Sequence, residues 1–108
     1  MMREMLTKPK RIDAKSAKEM IDKKQAVLID VRTPGEYTMG HIGGANLLPL
    51  DTLNEQSAAA LADKDAAVIV YCQSGARSAY AASQLAAMGY KNVFDLGGIF
   101  SWPYEITH

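Results

Sequence analysis

Two short runs in this chain are apolar at every position, 26–29 (AVLI) and 66–71 (AAVIVY). A strand with one face in water alternates apolar and polar residues, because successive side chains point to opposite faces. Unbroken runs of this length need cover on both faces, the condition of a strand inside a parallel sheet. Parallel neighbours must be joined by crossovers, and the stretches between the runs read as helices. Asp13 is placed to cap a helix over about 14–23, with Ala17, Met20 and Ile21 as its apolar stripe. Thr33-Pro34-Gly35-Glu36 forms a capping box with proline at the first helical position, so a short helix starts there. Asp51 is expected to cap a helix over about 52–62, and the alanine-rich stretch 78–88 is helical with Gly89 as its stop. Residues 46–48 are a weak strand candidate, and 93–96 (VFDL) a last strand before Gly97-Gly98 and a short terminal turn or helix. Strand and helix alternating in this rhythm predict an α/β domain with a mostly parallel sheet and helices on both faces.

The chain has 108 residues, enough for one domain and too few for two. Residues 1–9 are expected to form a flexible N-terminal arm, and 10–108 the single domain. Twelve basic and twelve acidic residues cancel, which argues against a general attraction to nucleic acid or to an anionic membrane. The basic N-terminus lacks the apolar run of a signal peptide, and no stretch is long and apolar enough to span a bilayer. Cytoplasmic localisation is the expectation. With a single cysteine, Cys72, the chain can form no internal disulfide and no thiolate-rich metal site.

Ligands in open α/β sheets bind beyond the carboxyl ends of the strands, and Cys72 directly follows the run 66–71. A lone cysteine after an apolar strand is ordinarily an inert core residue. Here a short loop with Gly75 follows, then Arg77 and a helix. Such a turn points backbone N–H groups inward, the helix start adds more, and Arg77 adds a permanent positive charge. All three favour the thiolate, the nucleophilic form of cysteine.

The segment Cys72-Gln73-Ser74-Gly75-Ala76-Arg77-Ser78 resembles the C-x-x-G-x-R-S active-site loop of the rhodanese family. Asp30-Val31-Arg32-Thr33-Pro34-Gly35-Glu36-Tyr37 resembles the family's D-V-R-x-x-x-E-Y segment. Gly40-His41-Ile42-Gly43-Gly44-Ala45 resembles its G-H-I-x-G-A segment, and Leu96-Gly97-Gly98 with Trp102 its closing G-G-x-x-x-W segment. Each motif alone is modest; four in the right order are specific.

The resemblance implies a rhodanese-like three-layer α/β/α fold with a five-stranded, mostly parallel central sheet. It also implies a sulfurtransferase needing no cofactor and no metal. Cys72 would take a sulfane sulfur from thiosulfate or a persulfide, become a persulfide, and pass the sulfur to cyanide or a thiol. Gln73, Ser74, Gly75, Ala76, Arg77 and Ser78 would form the substrate-binding loop. Asp30, Arg32 and Glu36 would support it, with Asp30 or Glu36 orienting Arg77 or Arg32. His41 is treated as structural, and Trp102 and Phe100 as packing residues.

Six residues run from Cys72 to Arg77 inclusive. Related phosphatases and arsenate reductases use a loop one residue longer, wide enough for a tetrahedral oxyanion, so phosphatase chemistry ranks low. The side chains of Gln73, Ser74 and Ala76 are small or neutral, and a loop without extra cations predicts a weaker grip on dianionic thiosulfate and favours persulfide donors. The alternatives are a protein-to-protein sulfur-relay carrier, with a protein donor or acceptor, and a non-catalytic interaction module of the same fold. Two departures from the family pattern stand out. Asn46 sits one place early after the G-H-I segment, and six residues follow Trp102, which predicts a more open pocket rim.

Overall fold

The computed structural model describes residues 8–108. The expected arm over 1–9 lies almost wholly outside the described residues. Five strands form one sheet in the order β1-β6-β5-β2-β4, every neighbouring pair parallel. In chain order these are β1 (Lys10–Arg11), β2 (Val27–Asp30), β4 (Asn46–Leu47), β5 (Ala67–Cys72) and β6 (Asn92–Gly98). Two further strands, β3 (His41–Ile42) and β7 (Ile106–Thr107), pair antiparallel as a small separate sheet. The helices are α1 (Ala14–Asp22), α2 (Pro34–Thr38), α3 (Glu55–Ala59) and α4 (Ala76–Ala87).

The two unbroken apolar runs became β2 and β5, side by side, with Val27 opposite Val68 and Ile29 opposite Val70. Their alternate residues feed two cores. Ile29, Val68, Val70 and Cys72 pack with Ala81, Ala82 and Leu85 of α4 and Ala58 of α3. Leu28, Ile69 and Tyr71 point the other way, onto Ala17 of α1, Ile42 and Trp102. Val68, Ile69, Val70 and Tyr71 are all 0% exposed. Burying each such side chain stabilises the fold by about 1.5–3 kcal/mol, which is why no polar residue interrupts these strands.

Asp13 caps α1, its carboxylate accepting from the Ser16 N–H, and the Thr33/Glu36 capping box opens α2. The helix expected at Asp51 is different. Leu50–Thr52 forms only a 3₁₀ turn, and α3 is capped by Asn54, whose side chain forms a reciprocal capping box with Ser57. Leu53 and Asn54 are extended, so Leu53 turns onto the core and the expected helix shrinks to Glu55–Ala59. Two other elements run longer than expected. α4 starts two residues earlier, at Ala76, and β6 continues through Gly97 and Gly98. Phe100 is 76% exposed and packs into neither core, in contrast to buried Trp102.

Candidate active site

Cys72 is the last residue of β5, in the centre of the sheet at its carboxyl edge. Gly75 caps α4 with φ at +113°, a left-handed conformation costly for any residue with a Cβ. The turn it makes folds the loop back over the sulfur. The Gly75 N–H donates to Cys72 Sγ at 3.0 Å and the Ser78 N–H donates to it at 3.2 Å. Ser78 stands in the first turn of α4, so its N–H is one that no helical carbonyl claims. The cysteine itself is only 1% exposed.

The first turn of α4 is tied to β6. Ser78 Oγ donates to Asp95 Oδ1 at 2.7 Å, and the Gly97 N–H donates to the same oxygen at 3.0 Å. Arg11 pairs with Asp95 Oδ2 from the rim. The pairing of β5 and β6 slips by one residue after Val70, and Asp95 stands at that irregularity. Gly98 then passes so close to the loop that a Cβ there would lie 2.6 Å from the Gln73 carbonyl oxygen and 2.7 Å from Ser74 Cα.

Two ion pairs flank the loop. Asp30 and Arg32 are both buried, with Arg32 Nη2 2.7 Å and Nε 3.0 Å from the Asp30 carboxylate. Arg32 also donates to the Gly40 carbonyl at 2.8 Å and to Gln73 Oε1 at 3.0 Å, so the second strand's end is bolted to the residue after the cysteine. Arg77 meets Glu36 through two parallel hydrogen bonds of 2.7 and 2.9 Å. Hydrogen bonding from Arg77 pulls the Glu36 carboxyl down to about 2. Each carboxylate named in the sequence therefore holds one arginine: Asp30 orients Arg32, and Glu36 orients Arg77.

His41 stacks on Tyr37 with ring centroids 3.7 Å apart, and its Nδ1 lies 2.9 Å from the Tyr37 carbonyl oxygen. Tyr71, one place before the cysteine, accepts the Ile42 N–H on its hydroxyl, and burial pushes its phenol well up. Of these groups, sequence reasoning missed Asp95 and Tyr71. A lone acid inside the apolar strand V-F-D-L was the one available signal for Asp95. Among the described residues, no cluster of three His, Cys, Asp or Glu side chains could hold a metal ion, and no helix is long and apolar enough to cross a membrane.

The chain that places a cysteine on a central strand, with a glycine-turned loop closing over its sulfur, also matches a family model. Residues 13–104 match the rhodanese-like domain. The chain belongs to the rhodanese-like family. It is 38% identical over 93 residues to a sulfurtransferase of Allochromatium vinosum, covering 84% of this chain and 85% of that protein. It is 42% identical over 71 residues to the thiosulfate sulfurtransferase PspE of Escherichia coli, covering 66% and 68% respectively. Among solved structures, a rhodanese-related protein of Thermoplasma volcanium superposes with a TM-score of 0.78 at 32% identity, covering 91% of this chain and 97% of that one. Within this rhodanese-like domain all ten sequence-predicted site residues fall at one end of the sheet. Asp30, Arg32, Glu36 and the loop 72–78 are joined by the hydrogen bonds described above.

Proposed function

We propose that this protein is a sulfurtransferase that carries sulfur as a persulfide on Cys72. The observation that carries the reading is the pair of backbone N–H groups directed at Sγ. Fixed donors of this kind stabilise a thiolate and need no reorganisation when it attacks. The thiolate attacks the outer sulfur of a donor. An S–S bond forms to Cys72 as the donor's own S–S bond breaks, and the leaving group departs as a thiolate, or as sulfite when thiosulfate is the donor. The acceptor then attacks the terminal sulfur and restores the Cys72 thiolate. Charge and electrons balance in both steps, so the transfer calls on no cofactor. Cyanide serves as an assay acceptor and a thiol as a cellular one. A reducing cytoplasm is the setting in which a lone thiolate stays available.

Thiosulfate is a weak donor in this reading and organic persulfides are better ones. The loop side chains carry no cation besides Arg77, and Glu36 already neutralises that one. A second reading, a sulfur-relay carrier, draws support from one relative. The probable adenylyltransferase/sulfurtransferase MoeZ of Mycobacterium tuberculosis is 34% identical over 84 residues, where the match covers 77% of this chain and 21% of that protein.

The test is intact-protein mass after incubation with thiosulfate, and separately with a protein persulfide, for wild type and Cys72→Ser. The expected result is a gain of one sulfur atom in the wild type alone, removed by cyanide. A gain that persists in Cys72→Ser sinks the assignment. Loading by the protein persulfide alone favours the relay.

A further inference from the structure

A cavity of about 530 Å³ opens beside Gln73, lined by Arg32, Glu36, Met39, Gly40, Ile99 and Ile106 as well. That volume lies in the range of small-molecule sites. Its walls combine two features. The first is apolar surface held out into solvent: Met39 is 80% exposed and Ile106 37%. Ile106 is held there by the pairing of β7 with β3, and it packs so tightly on Gly40 that a Cβ at Gly40 would lie 2.9 Å from its Cγ2. The second is charge that is already spent. Arg32 in the wall is closed by Asp30, and Glu36 in the wall is closed by Arg77. No arginine here lacks a carboxylate partner, so an incoming dianion finds no free countercharge, and the Glu36 carboxylate repels it. An uncharged apolar group meets neither penalty and gains the burial of Met39, Ile99 and Ile106.

We propose that this cavity seats the organic body of a small uncharged thiol, or of its persulfide, with the sulfur turned toward Cys72. The inference rests on the persulfide reading above and names the substrate class for it. Met39, Ile99 and Ile106 are then the residues that set specificity. In the transfer step the seated thiol gives its proton to solvent, and the resulting thiolate attacks the outer sulfur of the Cys72 persulfide. The new bond is S–S on the organic thiol, the bond broken is Sγ–S, and the electron pair returns to Sγ.

The experiment is a single-turnover measurement. The enzyme is first loaded with thiosulfate or inorganic polysulfide and the persulfide is verified by mass. Transfer is then followed to butanethiol, to mercaptosuccinate and to cyanide, in wild type, Met39→Glu and Ile106→Glu. Wild type is expected to prefer butanethiol to mercaptosuccinate. The ratio of the butanethiol rate constant to the cyanide rate constant is expected to fall about tenfold in each variant, because a carboxylate in the wall penalises an apolar ligand and cyanide is too small to need it. An unchanged ratio, a preference for mercaptosuccinate, or transfer to a protein thiol with butanethiol ignored would each overturn the proposal. Failure of the wild type to load sulfur from thiosulfate, polysulfide and a protein persulfide alike is scored at the mass step and overturns the persulfide reading, and this inference with it.

Discussion

Glu36 shows how one side chain can serve two elements. Its carboxylate accepts the Thr33 N–H to open α2, and it also clamps Arg77 across the loop. With Arg77 bound, its carboxyl titrates at about 2, below its ordinary 4.5. A carboxyl depressed on folding adds stability that is fully present above the unfolded value and is lost as pH falls through the folded one. Stability from this pair should therefore drain away between about pH 4.5 and pH 2. Glu36→Gln keeps the helix cap and abolishes the ion pair. In thermal melts against pH it should lose roughly 1 kcal/mol at neutrality, the scale of a part-exposed pair, and show a flatter profile below pH 5 than wild type. An equally steep acid limb in the variant would show that the pair contributes nothing.

The Cys72 loop is an element whose shape is imposed by its neighbours as much as by its own residues. From below, Asp95 holds Ser78 and the Gly97 N–H. From the side, Arg32 holds Gln73. Gly98 is required by space and not by backbone angle, since its φ of −94° suits any residue. A methyl there would collide with loop backbone at 2.6 Å, and backbone cannot step aside as a side-chain tip can. Gly98→Ala should displace the loop, cost about 1–3 kcal/mol in denaturant melts, and slow sulfur loading of Cys72 at least tenfold. A crystal structure of the variant would show the two N–H groups withdrawn from Sγ. Normal loading in a destabilised variant would mean that the contact matters to folding alone.

At the scale of the whole molecule, the main sheet and the small β3–β7 sheet are joined through Tyr71. Its hydroxyl accepts the buried Ile42 N–H at 3.1 Å, and the Arg32 guanidinium lies over its ring, 5.6 Å from the centroid. Tyr71→Phe fills the same space and strands that N–H. It should cost about 1–2 kcal/mol. At roughly 4–8 °C per kcal/mol for a domain of this size, a calorimetric melt will resolve the loss. A shift under one degree would mean that water satisfies Ile42 in its place.

Much of this architecture was written locally. Two runs with no polar residue demanded a sheet covered on both sides. Asp13 and the Thr33/Glu36 box each carry their cap in their own side chains, and the spacing from Cys72 to Ser78 carries the family's loop. These signals are legible because each depends only on residues a few places apart. Asn54 displaced Asp51 as a cap because Leu53 had a core to turn into, which no local rule contains. The two-residue strands β1, β3 and β7 exist only because a partner lies beside them. Asp95, Gly98 and the cavity wall at Ile106 join segments far apart in the chain, so their roles depend on distances. Residue types and short spacings thus determined where the lone cysteine stands and its layer in the fold. Tertiary packing alone decided which carboxylate holds which arginine, and what surface lines the cavity beside Gln73, because both are matters of distance between segments that the chain order does not express.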